Sequence, residues 1–253
     1  MNGSIYLYTR GDDCGSSHSA NRAILEACET GILKNVSFML PAPYIEEAAQ
    51  IFAGRKEYCF GLHATMNAEW DSLKWGPVSD PHKVPSIIDS RNGYLFQTTR
   101  ELQENMPDLD EIMLETQAQL DKAVRLGLDI KYAEMHMGYG WVVDGLNEAF
   151  DSWCREKGII NGITKGKRLP ETDHKGNPVE VLIERLKAAE PGYYALIGHP
   201  AYDNEEMRAL GHDGYPGETV AREREWERRM FCDKEIIDFC EQNGIIPLRY
   251  DQR

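Results

Sequence analysis

The sequence predicts an α/β fold: a single-domain (β/α) barrel over residues 1–253, irregular, with about seven parallel strands. Three observations predict it. Apolar strand-like runs alternate with amphipathic helical patterns from end to end, as a parallel sheet with crossover helices requires. Four of those runs end on an aspartate or a histidine, and a barrel carries its chemistry on the rim made by strand carboxyl ends. No G-x-G-x-x-G follows any strand, which argues against an open dinucleotide-binding sheet.

Taken in order, "SIYLYT" is the first strand and "ANRAILEACETG" a helix with Ile24, Ala27 and Cys28 on one face, closed by Gly31. "NVSFML" is a second strand, "YIEEAAQIF" a short helix stopping near Gly54, and "YCFGLHATM" a third strand. Residues 68–100 hold Trp70, Trp75, Pro77, Pro81 and Pro85 and read as irregular. A loop that long in a compact domain is usually functional or a lid. "LDEIMLETQAQLDKAVRLG" places Leu109, Ile112, Met113, Thr116, Leu120 and Ala123 at helical spacing. "DIKYAEMHMG" is a strand, "LNEAFDSWCREKG" a helix and "IINGIT" a short strand. Pro178 opens the helix "PVEVLIERLKAA", and "GYYALIGHP" is the next strand. "ETVAREREWERRMFCDKEIIDFCEQNG" reads as one long helix ended by Gly244, before the last strand "IIPLRY". No internal repeat or inter-domain linker interrupts this alternation.

Composition narrows the partners. With 28 basic against 42 acidic residues the net charge is -14, so a nucleic-acid partner is not expected. No apolar stretch reaches the length of a membrane span, and "MNGSIYLYTR" lacks the basic and apolar regions of a signal peptide. The six cysteines form no CxxC and no metal-knuckle spacing, which fits packed, reduced thiols in a cytoplasmic protein. A homodimer is compatible with this composition.

Asp12 and Asp13 sit where the first strand empties into a loop, flanked by Gly11 and Gly15. Alone, the pair reads as a turn. His63, His136 and His199, however, stand at the ends of "CFGLH", "KYAEMH" and "YALIGH". In a parallel barrel these ends share one rim, so four strands deliver two aspartates and three histidines to one surface. Two imidazoles and one carboxylate suit zinc or another divalent ion with positions open for water and substrate. The other carboxylate can then serve as general base and the third histidine can protonate a leaving amine. That combination points to hydrolysis of an amide or ester.

At these residues the chain resembles the YdjC-like (ChbG-like) carbohydrate deacetylases. "RGDDCGSSHSANRAILEACETGILKNVSFML" is similar to the family's opening DDxG loop, its downstream asparagine (Asn21) and its second strand. "FGLHATM" resembles the GxHxx strand, "EMHM" stands where the family carries Asp-x-His, and "GHPAYDN" with "REREWE" resembles the late histidine segment and its Arg/Glu helix. The resemblance implies a barrel hydrolase removing N-acetyl groups from amino sugars or chitooligosaccharides. It implies Asp13, His63 and His136 as ligands of one divalent ion (zinc or magnesium), Asp12 as general base, and His199 as acid or substrate contact. A small carbohydrate is the implied partner. Two departures stand out. Cys14 replaces the usual phenylalanine, and the usual Asp-x-His-x-His is here Glu134-Met135-His136-Met137-Gly138. The acid is one methylene longer and the second histidine is absent.

Trp70, Trp75, Tyr94 and Phe96 suit either sugar stacking or pinning of the long loop. Arg222 and Arg224 read as a solvated helix face from which one arginine could reach the rim, and His18 as a capping or surface residue. Two competitors remain at this level: another metal-dependent amidohydrolase on the same scaffold, and a sugar-binding barrel that has lost catalysis.

Overall fold

The computed structural model describes residues 4–252. A central strand, β1 (Ile5–Cys14), is followed by α1 (His18–Thr30), β2 (Asn35–Phe38), α2 (Ile45–Phe52) and β3 (Cys59–Ala64). The segment after β3 carries a small antiparallel hairpin, β4 (Ile88–Asp89) and β5 (Tyr94–Leu95), then α3 (Thr99–Glu104) and α4 (Leu109–Arg125). β6 (Ile130–Met135), α5 (Leu146–Lys157), β7 (Ile160–Asn161) and β8 (Lys167–Arg168) come next. The chain closes with α6 (Pro178–Ala188), β9 (Gly192–Gly198), α7 (Glu205–Arg208), α8 (Gly217–Cys232), α9 (Lys234–Gln242) and β10 (Ile246–Leu248).

Eight strands pair in parallel in the order β7-β6-β3-β2-β1-β9-β8, with β10 beside β1. β1 is long enough to carry two neighbours on one edge, β10 at Tyr6–Tyr8 and β2 from Arg10 onward. Its other edge pairs β9 from Ile5 to Gly11. From Leu7 to Cys14 every residue of β1 is buried, as expected of a strand covered on both faces. The sheet curls into a half-barrel but does not close: among the described residues β7 and β8 lie at opposite ends of the hydrogen-bonded order. The irregular parallel barrel expected from the sequence is thus present, as an open half-barrel.

Strand periodicity of two decides what enters the hollow. Tyr8, Cys59, Tyr132, Leu248 and Tyr250 fill its lower layer, with the rings of Tyr8 and Tyr250 stacked 5.2 Å apart. Leu7 and Gly11 face the other way, toward the outer helices, and a Cβ at Gly11 would meet Leu33 and Ile24. Two residues further along each strand, the inward positions become Arg10, Gly61, Glu134 and then Asp12, His63 and His136. Gly61 is small because Tyr132 crosses beside it, and a Cβ there would lie 2.2 Å from that ring. Gly61→Ala is accordingly expected to lower unfolding stability by about 1–3 kcal/mol, measured by denaturant titration. A variant as stable as the parent would show that Tyr132 can move aside.

Three sequence readings are corrected. The long helix expected over 218–244 is two helices, because Asp233 adopts extended ψ 131 and caps α9 by accepting from Glu235 N–H. The first strand does not stop at Thr9 but runs through the acidic pair to Cys14. The strand "IINGIT" narrows to Ile160–Asn161 before a single 3-10 turn. Residues 68–100 are irregular as expected, yet they are fastened rather than loose. Buried Glu115 on α4 accepts from Val78 and Ser79 N–H, and Gln119 binds both sides of Thr65.

Candidate metal centre

Alternation alone would send Asp12 and Asp13 to opposite faces of β1. The ladder with β2 is irregular between Gly11 and Cys14, and Asp13 takes φ 63 there. A left-handed aspartate inside a bulge is a strained arrangement that costs of order 1–3 kcal/mol, and it turns both carboxylates toward the same hollow. On the far side, β6 ends at Met135, and Met137 and Gly138 are both left-handed, so the chain turns away directly after His136.

Three donor atoms meet at this point. Asp13 Oδ1 lies 3.3 Å from His63 Nε2 and 3.5 Å from His136 Nδ1, and the two nitrogens are 3.0 Å apart. Donors sharing one divalent ion at about 2.1 Å stand about 3.0–3.4 Å from one another, so the triangle has the size of a coordination face. The far ring nitrogens set the tautomers. His63 Nδ1 is 2.7 and 2.8 Å from the two oxygens of Glu134, and His136 Nε2 is 3.0 Å from Glu69 Oε2. Carboxylates only accept, so those nitrogens carry protons, and once the rings are neutral their lone pairs point inward. Asp13 Oδ1 is itself buried without a hydrogen-bond partner. With both rings neutral, three lone pairs face one another and need a cation between them. The donor set fits a divalent metal ion.

A second grouping, Asp12 with His63 and Glu134, has the same residue types. It is already satisfied. Arg10 donates to both oxygens of Asp12, each at 2.7 Å, and also lies 3.5 Å from Glu134, whose oxygens hold His63. Arg10 is buried beneath the site, and removing one member of such a set strands a charge at a cost of about 3–5 kcal/mol.

The charge pattern follows from these neighbours. Burial disfavours the imidazolium of His63, but Glu134 and Asp12 outweigh it and raise the ring well above its ordinary value. Burial likewise works against His136, yet Glu69 and Asp13 push it up to about 9. Burial favours a neutral Asp13, but His199, His136 and His63 hold it well below the usual carboxylate range. Asp12 is also lowered, with Arg10 overcoming burial. Without a metal the histidines therefore keep protons at neutral pH that an incoming ion must expel. Apparent metal affinity should therefore rise with pH as His136, raised to about 9, and His63, also raised, give up their protons. Calorimetry in two buffers of different ionisation enthalpy measures the released protons, and a buffer-independent binding heat would contradict this.

His199 follows β9 directly, half-buried, one position beyond the Gly11–Gly198 pair. Its backbone N–H donates to Glu227 Oε2 at 2.7 Å, and its Nδ1 is 3.2 Å from the same oxygen. Arg224, one helical turn earlier on α8, lies 3.3 Å from Glu227 and 3.5 Å from Asp13 Oδ2. It thereby links the late histidine to the acidic pair. Arg222 stays exposed beside Thr219.

Asp12, Asp13, His63 and His136 thus lie together, with His199 at their edge. Sequence reasoning missed Glu69, Glu227 and the clamp by Arg10. Arg10 and Asp12 share strand parity, which by itself does not single out a buried clamp, and Glu69 lies in a segment without periodicity. Of the aromatic residues, Trp70, Trp75 and Phe96 are buried and pin the loop, with Trp75 Nε1 donating to Asn67 O; only Tyr94 is exposed. His18 is an exposed residue at the start of α1, paired with Glu47. No helix among the described residues is long and apolar enough to cross a membrane.

Comparison with known proteins bears on this site. A family model described as YdjC-like protein matches residues 6–176. A carbohydrate deacetylase of Thermoanaerobacter pseudethanolicus is 28% identical over 97% of this chain and 98% of its own length. A chitooligosaccharide deacetylase of Proteus mirabilis is 34% identical over 47% of this chain and 44% of its own. A solved structure from Enterococcus faecalis, described in terms of cellobiose-phosphate cleavage, covers 98% of both chains with a TM-score of 0.79 at 18% identity, which supports the fold alone.

Proposed function

Because the chain belongs to the YdjC-like protein family, we propose that it is a metal-dependent carbohydrate deacetylase that hydrolyses the N-acetyl group of amino sugars or chitooligosaccharides. One observation carries the metal dependence: a buried, unpartnered Asp13 oxygen facing the lone pairs of two histidines whose tautomers are fixed by Glu134 and Glu69. Asp13, His63 and His136 are the proposed ligands of one divalent ion, zinc or magnesium. When bound, the ion supplies Lewis acidity to the acetyl carbonyl and to the attacking water.

The remaining steps belong to side chains. Asp12 is the proposed general base. Arg10 fixes both of its oxygens and keeps it ionised, the form that can accept the proton of the water, at some cost in basicity. An amine leaves poorly as an anion, and His199 is the proposed acid that protonates it. With Nδ1–H donating to Glu227, His199 Nε2 is the nitrogen left to exchange that proton.

Acetate release from a panel of N-acetylated sugars tests the reading. Appearance of acetate and free amine in equal amounts is expected; a panel with no acetate in the presence of any divalent ion would refute it. His199→Ala is expected to retain the metal and lose about 10²-fold on amides, but less on an activated ester whose leaving group needs no proton. Equal losses on both substrates would make His199 a positioning residue.

A further inference from the structure

The open edge of the half-barrel holds a cavity of about 700 Å³ that the metal centre does not use. It lies between β6–β7 on one side and β8–β9 on the other, and it shares a wall with the site because Arg10 and Glu134 line it. Its charge runs against the rest of the chain. Arg10, Lys165, Arg168 and Arg185 face it, opposed only by Glu134, in a protein of net charge -14. Glu134 is already offset by Arg10 and held to His63. Arg185 spends donors on the Leu169 and Pro170 carbonyls and on Glu171. Among the described residues, the side chains of Lys165 and Arg168 pair with no carboxylate, and the Lys165 ammonium lies 6.0 Å from the centre of the Tyr8 ring. The same cavity is also lined by exposed apolar side chains, with Trp141 56%, Ile163 50% and Ile197 43% exposed.

Cations without a carboxylate partner and an exposed indole lining one cavity suit a ligand with a flat apolar face and an acidic group. A pyranose ring carrying an anionic substituent has both. We propose that this cavity is a subsite for an acidic sugar unit, its carboxylate or phosphate held by Lys165 and Arg168 and its ring set against Trp141. The proposal deepens the deacetylase reading and rests on it for the sugar. The anion selectivity rests on the cavity alone.

Calorimetry on the full, metal-loaded chain tests it with three ligands that already lack the acetyl group and are not turned over: glucosamine, glucosamine 6-phosphate and 3-O-lactyl glucosamine. At least one acidic compound is expected to bind about tenfold more tightly than glucosamine, and the preference should shrink as salt is raised. The double variant K165A/R168A is expected to bind acidic and neutral ligands alike. Which acidic compound shows the preference identifies carboxylate or phosphate as the group recognised. Equal affinity for all three, no binding of either acidic compound at millimolar concentration, or a preference that survives the double variant overturns the proposal. Because binding is read without turnover, an acidic preference without acetate release refutes the deacetylase reading and leaves the subsite. Acetate release without the preference does the reverse.

Discussion

His63→Ala and His136→Ala are each expected to lose the bound divalent ion and, with it, nearly all acetate release, while the fold persists. Each histidine contributes one of the site's three donors, and the two nitrogens stand 3.3 and 3.5 Å from the third, the Asp13 oxygen. Loss of a mere outer hydrogen-bond partner typically costs 10–100-fold in metal affinity, so loss of a donor should exceed about 100-fold. The fold should survive because the barrel floor of Tyr8, Tyr132 and Tyr250 lies below the site and does not depend on the ring removed. Stability has a cost all the same, since His63→Ala leaves Glu134 with Arg10 as its remaining charged neighbour. Metal analysis after dialysis checks the result. Unchanged stoichiometry in either variant would remove that residue from the ligand set.

Asp12→Asn should separate base catalysis from metal binding. Asparagine preserves the shape and can still accept from Arg10 through one oxygen, but it cannot take a proton. The variant is expected to hold its metal and lose about 10²–10⁴-fold in kcat. The pH profile has a defined sign. Arg10 holds the Asp12 pKa below the usual carboxylate range, so the base stays ionised until well into acid. Activity lost on mild acidification should therefore track proton binding at His63 and His136, whose pKa values are raised, and added metal should restore it. Near-native turnover in Asp12→Asn would assign proton abstraction to another group.

Much of this arrangement was legible because strand periodicity is strict. His63, His136 and His199 could be placed at strand ends, and Asp12 and Asp13 at the end of the first strand, from alternation and the parallel topology alone. The end of β1 was misplaced because glycine and aspartate are poor strand formers, yet pairing with β2 and β9 carries the strand to Cys14. The α8–α9 break was equally hidden. Asp233 is a good cap, but apolar periodicity continues on both sides of it, so local pattern favoured one helix. Glu69 could not be found from pattern at all. It reaches His136 from an irregular segment whose course is set by buried Glu115 and Gln119 on α4. The clamp of Arg10 on Asp12 joins residues two apart on a strand, a spacing as common in solvated edges as in buried sites.

The central claim, that one divalent ion held beside Asp12 makes this chain a carbohydrate deacetylase, is tested most directly by a single titration. Protein stripped with a chelator is titrated with zinc or magnesium while metal content and acetate release from an N-acetylated chitooligosaccharide are followed together. Activity should be absent at the start, rise in proportion to bound ion and saturate at one ion per chain. Full acetate release from the stripped protein, or one ion bound per chain without acetate release, would contradict the claim.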